Sequence, residues 1–380
     1  NNRSLTLNFL SFYWHQNKNI AELIEINGRL NTRSRIEIAF SWCQSSDPAR
    51  HAANSAPSSD THTPMLTLAT WTLGVALSPG DKVAVIGASG NVGKLVALRL
   101  AETYDVRGVV RNAGSVRSFL PDSVELFEAD LCGGATPAGL EAALAGAACC
   151  VICTGTTAFP TQAWSKAGDE GVFTRVLKAL FAQDLADQGE ELNAFELTKR
   201  RWQAMIATMD TEGYNTPKNV DELANLAILK AWEKAAGDAR KRLVLLSSIG
   251  VQRREQMPFP ILNACGVLDA KATAEAAIQA DAKAAGYSWT IVRPGQLNGG
   301  PYDNNYYLGT LFQLDKDADT REVTLGRGDE LIGDTLRSTL AEVTAQALET
   351  NTALDLDFAC VNVKGDEPSV EVVRQRLAAL

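Results

Sequence analysis

The feature that most constrains the fold is a short apolar strand that runs directly into a glycine turn and then a helix. Residues 82–86 read Lys-Val-Ala-Val-Ile, and residues 87–93 read Gly-Ala-Ser-Gly-Asn-Val-Gly. In this GxxGxxG spacing the first glycine permits a tight turn, the second lets backbone amides approach a phosphate, and the third lets the helix pack closely. The N-terminus of the helix then favours an anion through its unpaired N–H groups and its dipole. The pattern predicts a dinucleotide site, with a glycine turn that binds nothing as the alternative. The predicted loop contacts are Gly87, Ala88, Ser89, Gly90, Asn91, Val92 and Gly93.

After this loop, short apolar runs rich in β-branched residues alternate with Ala-rich or amphipathic segments. Such alternation is typical of βαβ units on a parallel sheet. We therefore predict an α/β fold, a doubly wound parallel sheet of the NAD(P)-binding Rossmann type, over residues 76–380. The predicted strands are 82–86, 105–110, 124–128, 149–153, 242–246, 289–292 and 356–361, and the predicted helices are 92–103, 140–145, 220–236, 270–285 and 335–348.

The first 75 residues do not follow this alternation and show no sustained periodicity. Residues 1–64 contain few acids, several Arg and many Ser, Thr and Asn, which suits a transit-type leader, although Glu22, Glu25 and Glu37 depart from that pattern. A poorly ordered extension or a folded cap are the alternatives. The true translation start stays open, because the first Met is Met65.

A second departure is a charged, helix-favouring stretch at residues 165–212, placed between the fourth strand and the helix expected after it. A crossover rarely needs so many residues. We predict an inserted pair of surface helices. The insertion either binds a protein partner or is a solvated decoration.

Composition and charge exclude several classes of function. The formal net charge of −9 argues against a nucleic-acid partner, which would need a basic face. No window approaches the long uncharged apolar run of a transmembrane segment. All histidines precede the Rossmann region, which excludes His-dependent triads and His-ligated zinc from it, and no metal site is predicted. These histidines are His15, His51 and His62.

The end of the second predicted strand decides between the two nicotinamide dinucleotides. An NAD site normally ends this strand with an acidic residue that holds the ribose hydroxyls. Here the strand ends Val-Val-Arg-Asn, and the guanidinium of Arg111 suits a 2′-phosphate. The cofactor prediction is therefore NADP(H), with an ordinary surface arginine as the alternative. Because ligands bind at the carboxyl ends of parallel strands, the further predicted contacts are Asp130, Leu131, Thr154, Gly155 and Thr156.

Several further motifs occur in a recognisable order. Residues 87–93 are followed by Cys-Thr-Gly-Thr-Thr-Ala-Phe-Pro (153–160), Asn-Thr-Pro-Lys-Asn-Val-Asp (215–221), Leu-Leu-Ser-Ser-Ile-Gly (245–250), Phe-Pro-Ile-Leu-Asn (259–263), Val-Arg-Pro-Gly (292–295) and Gly-Pro-Tyr (300–302). Over residues 81–348 the chain resembles the atypical short-chain dehydrogenase/reductases of plant and algal plastids, a group related to NmrA-like proteins and to the NADP-binding domain of Tic62. The resemblance implies a Rossmann fold, NADP(H) binding and a plastid location, in the chloroplast stroma or peripheral to the thylakoid. It does not extend to residues 1–75 or 165–212.

Ordinary members of this superfamily use a Ser with Tyr and Lys in YxxxK spacing, where the Tyr is the general acid. Lys271 fits the Lys position, but Val267 stands where the Tyr belongs. We predict that Lys271 orients the cofactor ribose and that Ser248 takes the Ser role. Ser247 is a cofactor contact or a structural residue.

If a reduction takes place, its acid comes from elsewhere, and Tyr302 is the candidate, with a packing or lid tyrosine as the alternative. Pro294 and Gly295 are expected to shape the nicotinamide end of the site, because Pro fixes φ and Gly permits close approach.

Two functions of different classes fit these residues. The first is an NADPH-dependent reductase of a small plastid metabolite, in which Lys271 and Ser248 are retained for chemistry. The second is a non-catalytic NADP(H) sensor or scaffold that tethers a protein partner, which the missing YxxxK tyrosine favours.

Overall fold

The computed structural model describes residues 76–166, 171–172, 174–176, 194–299 and 319–380. The predicted leader at 1–75, the middle of the predicted insertion and the candidate acid Tyr302 lie outside the described residues. The remaining predictions fall on the part of the chain that is described.

Ten strands of the described chain form one sheet in the order β3-β2-β1-β4-β5-β6-β10-β9-β7, with β8 paired to β10. Strands β1 to β6 and β10 pair in parallel, whereas β8 and β9 run antiparallel to β10. The strands are β1 (Lys82–Ile86), β2 (Asp105–Val110), β3 (Glu125–Glu128), β4 (Cys149–Ile152), β5 (Arg242–Leu246), β6 (Ser288–Pro294), β7 (Gln296–Asn298), β8 (Glu322–Arg327), β9 (Asp334–Leu336) and β10 (Leu356–Val363). The mostly parallel sheet confirms the predicted fold class.

The strand order reverses at β1, because the chain goes to β2 and β3 on one side of it and to β4, β5 and β6 on the other. A reversal of this kind opens a crevice beyond the carboxyl ends of the two strands that flank it, here β1 and β4. The fold therefore places the loops after β1, β2, β3 and β4 around one crevice.

Helices cover both faces of the sheet, which explains why its central strands are apolar throughout. Alternate residues of β1 enter two separate cores: Val83 and Val85 pack into one, and Ala84 and Ile86 into the other. The helices are α1 (Gly93–Leu100), α2 (Ala138–Leu144), α3 (Ala194–Thr211), α4 (Ala224–Ala236), α5 (Phe259–Leu262), α6 (Val267–Ala285), α7 (Arg337–Glu349) and α8 (Val370–Ala378), and a π-helical stretch, Lys218–Leu223, leads into α4.

The cysteines of β4 are part of these cores, where they act as small buried hydrophobic residues. Cys149 and Cys150 are fully buried on opposite faces of the sheet, in the two different cores. Cys150 and Cys153 have CxxC spacing, yet Cys153 packs on the core opposite to that of Cys150. Burial raises the pKa of the Cys149 and Cys153 thiols to about 12. The Cys150 and Cys153 thiols thus lie on opposite faces of the sheet and do not form a redox dithiol.

The described end of the insertion is helical, as predicted, but it is not solvated all round. Met205 and Met209 of α3 are fully buried in a separate cluster around Trp164. This cluster fastens α3 to the loop that follows β4. None of the described helices is both long enough and apolar enough to cross a membrane.

Candidate cofactor and catalytic site

The glycine turn after β1 has the geometry that its sequence predicts. Gly87 has a φ of 82°, and the N–H groups of Gly87 and Ala88 both donate to the Val109 carbonyl, at 3.0 and 3.1 Å. A Cβ on Gly87 would lie 2.8 Å from the Thr154 methyl carbon, and one on Gly93 would lie 2.1 Å from the Gly87 carbonyl oxygen. A side chain at Gly87 would therefore clash with Thr154 after β4, and one at Gly93 would clash with the glycine turn itself.

An open cleft of about 190 Å³ lies at the carboxyl ends of β1 to β4. It brings together residues from the loops after these four strands and from residues 215–224, and half of them were predicted as cofactor contacts. The predicted contacts that line it are Gly87, Ser89, Gly90, Arg111, Asp130, Leu131, Thr154, Gly155 and Thr156, and the lining residues that were not predicted include Cys132, Ala163, Asn215, Val220 and Ala224. Of the other loop residues, Ala88, Val92 and Gly93 are buried and support the turn from below, and Asn91 is half-buried beside them.

Two features of the cleft fit a dinucleotide. The glycine turn presents backbone at close range, and the Thr154 hydroxyl is buried without a hydrogen-bond partner in the described part of the protein. Buried hydroxyls are normally paired, so this oxygen suits a ligand that reaches the end of β4. The residues present therefore fit a pyrophosphate and its ribose.

Arg111 follows the last residue of β2 and is exposed at the mouth of the cleft. Its Nη1 atom lies 3.5 Å from the Lys166 carbonyl oxygen, a long contact that leaves most of its donors available. Within the described residues, no carboxylate forms an ion pair with it. The guanidinium is therefore free to bind an anionic group at this end of the cleft.

Lys271 lies on α6 and pairs with Asp221 of the π-helical stretch. Lys271 Nζ donates to Asp221 Oδ1 at 2.7 Å, and the Thr156 N–H donates to the other carboxylate oxygen at 3.2 Å. The Asp221 side chain is fully buried and that of Lys271 is 11% exposed. Burial raises the pKa of Asp221, and the ammonium of Lys271 counteracts that shift. Both polar ends lie beside Gly155, where a Cβ would be 3.3 Å from each.

Comparison with known proteins agrees with this geometry. Residues 87–351, more than half of the chain, match the model of a family described as NAD(P)H-binding. The chain belongs to this NAD(P)H-binding family. No curated protein matches the chain.

Solved structures with similar folds include several oxidoreductases. An oxidoreductase from Lactococcus lactis is 17% identical, with 78% of this chain and 95% of that chain covered and a TM-score of 0.46. An anaerobillin reductase from Escherichia coli is 16% identical, with 76% and 99% covered and a TM-score of 0.45. A short-chain dehydrogenase/reductase from Veillonella parvula in complex with NADP is 13% identical, with 76% and 99% covered and a TM-score of 0.43. The match to the NAD(P)H-binding family model, and not these distant structures, carries the assignment.

At the position of the usual tyrosine, this member of the NAD(P)H-binding family has Val267 packed in a small apolar cluster with Val251, Phe259 and Leu268. No proton donor can act from there. Ser248 follows β5, is half-buried, and donates its hydroxyl proton to the Ile249 carbonyl at 3.0 Å. Of the Ser-Tyr-Lys arrangement considered from the sequence, the tyrosine position is thus a buried valine and the candidate serine bonds within its own loop.

Ser247 faces a buried charged network at the same end of the sheet. Its hydroxyl donates to Glu275 Oε1 at 2.6 Å, and Arg293 donates to both oxygens of Glu275, at 3.1 and 2.7 Å. Arg293 also bonds to Asp357. The network links β5, α6, β6 and β10 behind the cleft, so Ser247 holds the end of β5 in place.

Pro294 ends β6 and is buried, and Gly295 follows it. The Gly295 N–H donates to the Thr335 hydroxyl at 2.8 Å, and a Cβ on Gly295 would lie 1.8 Å from the Gly333 carbonyl oxygen. Both residues therefore shape the backbone path beyond β6, and neither lines the cleft itself.

Sequence reasoning missed the roles of Asp221, Asn215 and Cys132. Asp221 and Asn215 stand in a stretch that carried only a resemblance, and nothing local shows that Asn215 lines the cleft or that Asp221 binds the Thr156 N–H behind it. The one available signal was Asp221 itself, an acidic residue directly before the apolar run of α4. In the described part of the chain, no group of three or more His, Cys, Asp or Glu side chains could hold a metal ion.

Proposed function

We propose that this protein is an NADP(H)-dependent oxidoreductase that reduces a small apolar metabolite. The observation that carries the proposal is the position of Arg111, which lines the same cleft as the glycine turn and lies at the end of β2. At this place an NAD-specific site holds the ribose hydroxyls with an acidic side chain. A guanidinium supplies a charge-assisted, geometrically matched contact to a 2′-phosphate instead.

The bound cofactor would supply a hydride, and the chain supplies binding, orientation and charge. The loop of Thr154, Gly155 and Thr156 would lie along the pyrophosphate and the nicotinamide ribose. Lys271 would bind the ribose hydroxyls, because its ammonium is held beside Gly155 by Asp221. Ser248 and Tyr302 stay the predicted groups on the substrate side.

A second candidate function is a non-catalytic NADP(H) sensor that binds a protein partner according to its cofactor state. Val267 favours it, because the residue in the place of the usual general acid is an aliphatic side chain packed in a core. A plastid location, which the sequence resemblance implies, belongs to both proposals.

The binding test compares Arg111→Glu with the native protein by calorimetry and thermal shift. The variant should lose about 100-fold in NADPH affinity, because a charge-assisted contact is replaced by repulsion, while NADH affinity stays within about twofold. Arg327→Glu makes the same charge change on an exposed residue of β8, on the opposite half of the sheet, and should alter neither affinity. Equal losses for NADPH and NADH in Arg111→Glu would refute the NADP(H) assignment.

The two candidate functions separate in a second experiment. NADPH-loaded protein is mixed with plastid extract, and cofactor oxidation is followed by its absorbance. Oxidation that is lost in Lys271→Met, while that variant still binds NADPH, supports the oxidoreductase. An absence of oxidation, together with partner capture by the NADPH form and not by the NADP⁺ form, favours the sensor.

A further inference from the structure

The start of the predicted insertion lies against the cofactor cleft and not away from it. The chain from Trp164 to Lys166 is fixed by Asn215, whose backbone N–H donates to the Trp164 carbonyl at 2.9 Å and whose side-chain amide donates to the Ser165 carbonyl. Asn215 is buried and itself lines the cleft. The position of Lys166 is therefore set by a residue of the cleft wall.

Two basic residues are neighbours at this edge of the cleft. The Lys166 carbonyl oxygen lies 3.5 Å from Arg111 Nη1, so the Lys166 backbone is beside the guanidinium at the cleft mouth. The Lys166 ammonium lies 5.0 Å from the centre of the Tyr214 ring, which holds a cation on its face. The Cys132 thiol lines the cleft; burial, and then the Asp130 carboxylate, raise its pKa, and the positive charges of Lys166 and Arg111 offset part of that rise. Both charges thus act on the same part of the cleft.

We propose that Lys166 is a second ligand of the 2′-phosphate and a determinant of specificity for NADPH over NADH. The inference rests on the proposed function, because it requires the phosphate that Arg111 would bind. The guanidinium supplies a planar, forked contact, and the flexible ammonium supplies a point charge that can approach the phosphate from the insertion side. The insertion is then part of the cofactor site.

In this arrangement the exposed Arg111 guanidinium donates to the Lys166 carbonyl. The contact is long and keeps Arg111 beside the lysine without occupying all its donors. A phosphate between the two side chains would satisfy both cations at once. Asp130, a carboxylate of the cleft lining, accepts from the Cys132 N–H at 3.1 Å and lies on the side predicted for the adenine. Glu212, which is also within reach of the Lys166 charge, is paired with Arg175.

The test measures NADPH and NADH affinities by calorimetry for Lys166→Gln, Arg111→Gln and the double variant. Lys166→Gln should weaken NADPH by about three- to tenfold, as expected for an exposed charged contact, and leave NADH unchanged. The double variant should bind the two cofactors with similar affinity. Lys364→Gln, which removes an exposed lysine after β10, is the matched control and should change neither affinity.

A further variant tests the platform on which the lysine rests. Tyr214→Leu keeps Lys166 and an apolar side chain but removes the ring, and it should lower the ratio of NADPH to NADH affinity by about two- to threefold. This ratio is insensitive to a uniform loss of folded protein.

The outcomes distinguish the two proposals. Suppose that Arg111→Gln weakens NADPH binding more than NADH binding, while Lys166→Gln changes nothing or weakens both cofactors equally. The role of Lys166 is then wrong and the NADP(H) function stands. If neither substitution weakens NADPH binding more than NADH binding, the NADP(H) function itself fails.

Discussion

Asp221 and Lys271 show how this domain keeps ionised groups inside. A buried carboxylate is costly unless it is both paired and hydrogen-bonded, and Asp221 has an ammonium on one oxygen and the Thr156 N–H on the other. These two bonds also connect α6, the π-helical stretch and the cofactor loop. One side chain therefore serves stability and site geometry together.

Removal of the Asp221 charge should destabilise the protein strongly. In Asp221→Asn the ammonium of Lys271, only 11% exposed, loses its compensating charge, and we expect a loss of about 3 kcal/mol in the free energy of unfolding. Urea unfolding measures it. The double variant Asp221→Asn/Lys271→Met should cost less than the sum of the two single changes. Additive losses would show that the pair is not coupled, and Asp130→Asn, at an exposed cleft residue, should be nearly neutral.

At the level of single residues, the sequence predicted the contacts that follow from a residue's position in a local motif. Arg111 was predicted as a contact because it follows the second strand. Lys271 was predicted because it has the YxxxK spacing from Val267, which stands at the Tyr position. Lys166 and Asp221 were assigned no role, because each contacts a cleft residue, Arg111 and Thr156 respectively, through tertiary packing that spacing does not encode. Ser247 was predicted as a cofactor contact or a structural residue, and its hydrogen bond to Glu275 agrees with the structural interpretation.

At the level of elements, helix α3 differs most from its prediction. The segment was predicted to lie on the surface, yet Met205 and Met209 are fully buried beside Trp164. Its buried face was not predicted, because the segment is rich in charged residues and its buried positions are interspersed with exposed ones such as Gln203.

Met209→Ala should therefore lower the free energy of unfolding by about 3 kcal/mol, through lost burial and the cavity left behind. Thermal or urea unfolding gives the value, and hydrogen exchange of α3 should rise at the same time. Gln203→Ala, on the exposed face of the same helix, should change stability by less than about 0.5 kcal/mol. A neutral Met209→Ala would mean that α3 does not pack on the domain.

The central strands were predictable and the peripheral ones were not. The predicted bounds of β1, β2 and β5 match the structure, because buried parallel strands are continuous apolar runs with sharp ends. Strands β7 and β9 have three residues each and contain Gln296, Asn298 and Asp334, so no apolar run marks them. They form because β10 and the loop after β6 offer them partners, which is a property of the assembled sheet.

At the level of the whole molecule, buried thiols should make the protein sensitive to alkali. Burial raises the pKa of Cys149, Cys153, Cys265 and Cys360 from 9.0 to about 12. Between these values the unfolded chain loses thiol protons that the folded chain retains, so stability falls as the pH rises.

Each such thiol should contribute about 1.4 kcal/mol of lost stability per pH unit in that window. Urea unfolding at several pH values above about 9 measures the slope. Cys360→Ala removes one thiol and should reduce the loss of stability per pH unit by the contribution of that thiol. The variant itself should be less stable than the native protein at every pH. An unchanged slope would show that Cys360 ionises equally in both states.

The reversal of strand order at β1 has a consequence for how this protein can diverge. Most residues of the cleft lining come from one contiguous stretch, residues 87–163, whereas Ser248, Lys271 and the loop after β6 belong to the later half of the chain. Mutations at Ser248 or in the loop after β6, unlike those at Lys271, would thus change what is recognised without altering the residues proposed to hold the nucleotide. Descendants of one ancestral gene could therefore acquire new substrates while inheriting the same coenzyme.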